Sequence, residues 1–117
     1  LRIIYIAGAY SAPTLAEVTR HVDQTRKMAL ELAERRIPFL STVLQTAHFE
    51  LLLGRQDPEH WIAVSLEILR RCDAIFLVPG WQKSKGAKLE RETALARGMP
   101  VFEDIEMLAE WATRPKG

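Results

Sequence analysis

Arg2-Ile3-Ile4-Tyr5-Ile6-Ala7-Gly8 is a β-branched, almost wholly apolar run that stops at a glycine. A strand with one face in water alternates apolar and polar residues. A run without alternation is buried on both faces, as in a parallel sheet covered by helices on each side. Ala74-Ile75-Phe76-Leu77-Val78 repeats the pattern and ends at Pro79-Gly80. Helical signals lie between the two. Thr14-Leu15-Ala16-Glu17 reads as a capping box, the threonine capping and the glutamate reaching back. Leu15, Val18, Val22, Thr25, Ala29, Leu32 and Ala33 then form a helical stripe ending near Arg36.

The other elements are read the same way. Residues 37–42 predict a second, shorter strand, with Pro38 tolerated only near its start. Residues 43–54 are ambiguous, a loop followed by a short helix through Leu51, Leu52 and Leu53. Asp57-Pro58-Glu59 starts a helix, Asp as cap and Pro at the first position. Trp61, Ile62, Ser65, Leu66, Ile68 and Leu69 fill its inward side as far as Arg71. A loop at residues 81–86 leads to a helix expected over 87–97, stopped by Gly98. Residues 99–102 give a fourth strand, 105–112 a last helix and 114–117 a frayed tail. Strand and helix alternate throughout. The expected fold is a single doubly wound α/β domain over residues 1–117, three-layered α/β/α. Its sheet is parallel, of four to five strands in the flavodoxin-like order 2-1-3-4(-5).

Composition bounds the function. The 117 residues are 48% hydrophobic and 26% charged, a globular balance that excludes a disordered tail or a disulfide scaffold. No apolar run reaches membrane-span length, and no signal-peptide pattern is visible, so a soluble, cytoplasmic protein is expected. A net charge of +1 argues against a nucleic-acid polymer as partner. The single cysteine, Cys72, excludes internal disulfides and multi-Cys metal sites. No His/Asp/Glu set has metal-ligand spacing, so neither metal nor cofactor is expected.

Open parallel sheets bind ligands beyond the carboxyl ends of their strands, where strand order reverses. Here that point lies between the first and third strands, at the loops of residues 8–14 and 80–86. Gly8, Tyr10, Ser11, Ser84 and Gly86 give these loops small and hydroxyl-bearing residues before helix starts, where an anion is favoured. Neither loop carries a dinucleotide or P-loop glycine pattern. Glu92 has Lys88 four residues earlier and reads as a solvated ion pair. Glu90 instead has Gly86, Ala87, Thr93 and Ala94 as ridge neighbours, so it has no local cation and room for a ligand. It sits at the crevice mouth. Tyr5 points opposite to Ile4 and Ile6, and its buried phenol needs a partner, either a crevice carboxylate or a backbone carbonyl. His48 could reach the crevice, Trp81 could stack a base or pack the loop, and His21 and His60 read as surface residues.

Ile4-Tyr5-Ile6-Ala7-Gly8, with Gly86-Ala87-Lys88-Leu89-Glu90, Ala94 and Gly98-Met99-Pro100-Val101, resembles the nucleoside 2-deoxyribosyltransferase-like superfamily. It is similar in particular to that fold's small bacterial and phage proteins of uncharacterised function. The resemblance implies that Glu90 is the nucleophile attacking C1′ of a deoxyribosyl group and that Tyr5 holds its carboxylate. It further implies that the first loop and Ser84 bind sugar hydroxyls or a 5′-phosphate. One departure stands out: where the family has an aspartate that protonates or orients the base, this chain has Ser65.

The expected function is therefore cleavage of a nucleoside or nucleotide N-glycosidic bond, by hydrolysis or base exchange, with Glu90 and Tyr5 as the catalytic pair. Ser11 and Ser84, with Lys83 or Lys85 nearby, favour a phosphorylated substrate, and His48 and Tyr10 are candidates to protonate the base. The alternative is a non-catalytic nucleotide- or nucleotide-sugar-binding module, which Ser65 supports. A plain interaction domain is third. A shallow crevice calls for a homodimer or larger assembly. Its contact would come from Phe49, Leu51, Leu52 and Leu53 with Trp61, or from Met107, Leu108 and Trp111.

Overall fold

In the computed structural model, which describes residues 1–115, the sheet is four-stranded and all-parallel in the order β2-β1-β3-β4. The strands are β1 (Ile4–Ala7), β2 (Phe39–Leu40), β3 (Ala74–Leu77) and β4 (Val101–Phe102). Among the described residues six α-helices surround them: α1 (Leu15–Glu34), α2 (Thr42–Thr46), α3 (Phe49–Leu53), α4 (Pro58–Arg70), α5 (Lys85–Ala96) and α6 (Ile105–Thr113). The doubly wound α/β architecture expected from the apolar runs is present, with four strands. β1 and β3 pair from Ile4 with Ala74 to Ala7 with Leu77 at the centre, and every residue of both is buried.

Strand alternation divides the core into two layers. Ile4, Ile6, Phe76 and Val78 pack with Ala29 and Leu32 of α1 and Leu108 of α6. Tyr5, Ala7, Ile75 and Leu77 face the opposite side, with Leu69 of α4 and Ala94 of α5. Each fully buried Leu, Ile or Phe contributes roughly 1.5–3 kcal/mol. Thr14 caps α1 by accepting from the Glu17 N–H at 3.2 Å, and Gly98, at φ 70°, supplies the left-handed residue after α5.

Several boundaries differ from the sequence reading. The second strand is only Phe39–Leu40, because Ser41 turns the chain and accepts from the Leu44 N–H at 3.2 Å, starting α2 at Thr42. The expected loop at 81–86 holds a 3-10 turn, Trp81–Lys83, and α5 begins at Lys85 because Ser84 caps it. Leu15 and Ile62 are exposed rather than inward, and Asp57 makes no side-chain cap bond. Lys88 and Glu92 are exposed and close no ion pair among the described residues. Of the tail expected at 114–117, residues 116–117 lie outside the described residues.

Gly8 sets how closely α1 approaches the sheet. A Cβ there would lie 2.5 Å from Thr25 Oγ1 and 3.3 Å from Val78 Cγ2. The Thr25 hydroxyl is itself buried with no hydrogen-bond partner among the described residues. Gly8→Ala is therefore expected to destabilise by about 1–3 kcal/mol through overpacking. Thr25→Val removes an unsatisfied polar atom and is expected to be neutral or stabilising by about 1 kcal/mol. Urea midpoints for the two variants check this, and a lower midpoint for Thr25→Val would contradict it.

Candidate functional site

α5 presents Ala87, Glu90 and Ala94 to the interior, and the two alanines let it lie close to β1 and β3. This brings the Glu90 carboxyl onto Tyr5, whose hydroxyl donates to Glu90 Oε2. Tyr5 is fully buried and Glu90 only 9% exposed. Of the two partners open to the phenol, it has the carboxylate. Two further hydroxyls stand behind it. Thr42 Oγ1, at the start of α2, is 2.8 Å from Tyr5 Oη, and Ser65 Oγ, on α4, donates to Thr42 Oγ1 at 3.1 Å.

Burial dominates the electrostatics. Removal from water pushes the Glu90 carboxyl up to about 7, with the Tyr5 hydrogen bond pulling the other way. The Tyr5 phenol is held above its ordinary range by burial first and then by the Glu90 charge, so it stays protonated and remains a donor. Glu90 is thus a carboxylate poised near neutrality at the carboxyl edge of a parallel sheet.

A second polar cluster forms where the loop after β1 meets α3. Tyr10 Oη donates to Glu50 Oε1 at 2.6 Å and accepts from the His48 backbone N–H at 2.7 Å. His21 Nδ1 lies 2.9 Å from the Tyr10 carbonyl, so His21 is part of this cluster rather than a plain surface residue. His48 has φ 65°, a left-handed conformation that costs a non-glycine residue on the order of 1 kcal/mol or more. Its Nδ1 is buried without a partner among the described residues. Burial and the Glu50 hydrogen bond push the Tyr10 phenol up to about 12.

The remaining sites named from sequence are spread along the same edge. Gly8 is buried against Thr25 and Val78, which gives it a packing role, and Ser11 is exposed. Ser84 Oγ accepts from the Ala87 N–H at 3.1 Å as the cap of α5, and Gly86 lies in the first turn. Trp81 Nε1 donates to Glu103 Oε1 at 2.8 Å, and the Arg91 guanidinium lies 5.2 Å from its ring centroid. Thr42 and Glu50 were not singled out in the sequence. The signal available for Thr42 was the Ser41-Thr42 pair, which reads equally as the end of a strand or the start of a helix.

Among the described residues, no group of three His, Cys, Asp or Glu side chains could hold a metal ion. No helix among them is long and apolar enough to cross a membrane. A surface depression of about 440 Å³ is lined by Arg2, Arg36, Pro38 and Arg114 at the amino ends of β1 and β2, the opposite end of the sheet. Another of about 220 Å³ lies by Leu53, Asp57 and Trp61, and neither touches Glu90. A family model described as a domain of unknown function (DUF4406) matches residues 3–103. No curated protein matches the chain.

Proposed function

We propose that this chain, which belongs to the family of the domain of unknown function DUF4406, cleaves the N-glycosidic bond of a nucleoside or nucleotide with Glu90 as nucleophile. The observation that carries this is the buried Glu90 carboxylate, accepting from Tyr5 beside a switch point of the sheet. Glu90 attacks C1′ as the C1′–N bond breaks, and the bond's electron pair leaves with the base. The base takes a proton, for which Tyr10 and His48 at the rim are the candidates. Water then attacks C1′, its hydroxyl staying on the sugar and its proton replacing the one given to the base, and the Glu90 carboxylate is restored. A second base in place of water gives transfer. Ser84, flanked in the chain by Lys83 and Lys85, and Ser11 in the loop after β1 favour a 5′-phosphorylated substrate.

Incubation with deoxynucleoside monophosphates and nucleosides, with chromatography for free base, tests the proposal. Base release from at least one is the expected result, and release from none overturns it. Attack needs the ionised carboxylate, so the rate is expected to fall as pH drops through about 7, where Glu90 takes up its proton. In Tyr5→Phe the bond that favours the charged form is gone. The acid limb then moves to higher pH, and the plateau rate falls roughly 10–100-fold, the worth of one charge-assisted hydrogen bond. An unmoved limb would separate Tyr5 from the chemistry.

A second function keeps the same crevice for binding a nucleotide or nucleotide sugar without turnover. Ser65 favours it, since a serine cannot act as the acid that an aspartate there would supply. Binding by calorimetry without base release selects it. Under either function we place the chain in a homodimer or larger assembly that walls the crevice.

A further inference from the structure

We propose that Thr42 and Ser65 are positioning residues for Glu90, forming with Tyr5 a one-way hydroxyl relay that commits the Tyr5 proton to the carboxylate. This rests on Glu90 as the reacting group. The relay draws on four elements: Ser65 from α4, Thr42 from α2, Tyr5 from β1 and Glu90 from α5. Its direction follows from counting protons. The Tyr5 hydroxyl has one proton and is hydrogen-bonded to Thr42 Oγ1 and Glu90 Oε2, while the Ser65 hydroxyl also stands close and favours the charged phenol as a donor would. Thr42 is buried, and its oxygen already receives the Ser65 proton at 3.1 Å. Thr42's own proton needs an acceptor, and the Tyr5 oxygen, 2.8 Å away, is in reach. With that bond made, the Tyr5 proton goes to Glu90. Ser65 donates to Thr42, Thr42 to Tyr5 and Tyr5 to Glu90, and each hydroxyl polarises the next.

The relay acts on the ionisation and aim of Glu90, and touches no substrate. The titratable group facing Glu90 is Tyr5, while α2 and α4 bring the neutral Thr42 and Ser65. Hydrogen bonds therefore oppose the cost of burying the charge where, among the described residues, no cation does. The serine, a departure from the resembling family, has a place here: its hydroxyl can donate to Thr42, which an ionised carboxylate cannot.

The test is the titration of the Glu90 side-chain carboxyl by ¹³C NMR in the full chain, assigned by its loss in Glu90→Gln. It needs no substrate. Thr42→Val is expected to raise the Glu90 midpoint by about 0.5–1 pH unit, because Tyr5 loses its own donor. Ser65→Ala should raise it by less, and Thr42→Ser should restore it. An unchanged midpoint in both Thr42→Val and Ser65→Ala overturns the relay. So does a rise that Thr42→Ser fails to reverse, since that would mark the threonine methyl, not its hydroxyl, as the cause. Should Thr42→Val not fold, Ser65→Ala and Thr42→Ser decide by the same shifts. Absence of base release alongside the expected shifts removes the glycosidic reaction and leaves the relay standing. If base is released, the acid limb moves with the NMR midpoint.

Discussion

Glu90→Gln is expected to abolish base release, by roughly 10⁴-fold or more for loss of the nucleophile, and to make the protein more stable at pH 8. Both effects come from one buried charge. In the unfolded chain Glu90 titrates near the ordinary 4.5, and in the folded protein near 7. Between those values the native state holds the extra proton, so the carboxyl's contribution to stability falls as pH rises through the window. Across it the loss is roughly 3 kcal/mol, taken as an order of magnitude. Glutamine has the same shape, keeps an acceptor for the Tyr5 hydroxyl and cannot ionise. Its amide N–H donors need partners of their own, so the net gain at pH 8 should be about 1–3 kcal/mol. At pH 4.5 most of the advantage should vanish, since wild type is then protonated too. Denaturant unfolding of both proteins at several pH values gives the difference curve, and parallel curves would contradict it. Glu92→Gln is the control, an exposed carboxylate on the same helix expected to change neither activity nor stability. Near-normal turnover in Glu90→Ala with loss in Glu92→Ala would mean the wrong carboxylate had been chosen.

Glu90 and Tyr5 could each be singled out from the sequence because each is an exception to its element. Their pairing was implied only by the family resemblance, since the residues alone left a backbone carbonyl equally open to the phenol. Tyr5 is the phenol in an aliphatic strand, and Glu90 is a helix carboxylate with small neighbours and no cation at three or four residues. The strand order was legible for a similar reason: two uninterrupted apolar runs separated by helical periodicity admit few parallel arrangements. Thr42 was hidden because its position depends on Ser41 ending β2 after two residues, a tertiary outcome that local pattern does not encode. Glu50 was hidden for a different reason. It lies in a five-residue helix too short to show periodicity, and its partner Tyr10 is forty residues away. Ser65 counted against catalysis as long as it was compared with an aspartate. Its hydrogen bond to Thr42 gives it a different place.

In solution the chain is expected to scatter light with at least twice its 13.3 kDa mass, and Leu51→Glu with Leu52→Glu is expected to return it to the monomer. Of the two apolar clusters, the C-terminal one is used within the fold except for Met107, which is 63% exposed. Leu108 is fully buried, and Trp111 packs on Phe102 with its ring beneath the Arg2 guanidinium. The cluster around α3 remains open: Leu51 is 61% and Leu52 79% exposed, and Phe49, Leu53 and Ile62 are exposed beside them. Three consecutive leucines left in water on a five-residue helix are a poor solution for a monomer. Trp61 meets Phe49 edge-on at 6.2 Å and extends the apolar surface onto α4. The same helix bears Glu50, which accepts from Tyr10 in the loop after β1, so a second copy seated on α3 would also bear on that loop. A two-fold contact uses each leucine twice. Two buried glutamates per protomer should therefore cost several kcal/mol in all, on the order of a 10³-fold or greater weakening of association. Base release should fall together with the mass. A wild-type mass near the monomer value at micromolar concentration would sink the assembly, and an undissociated double variant would move the contact away from α3.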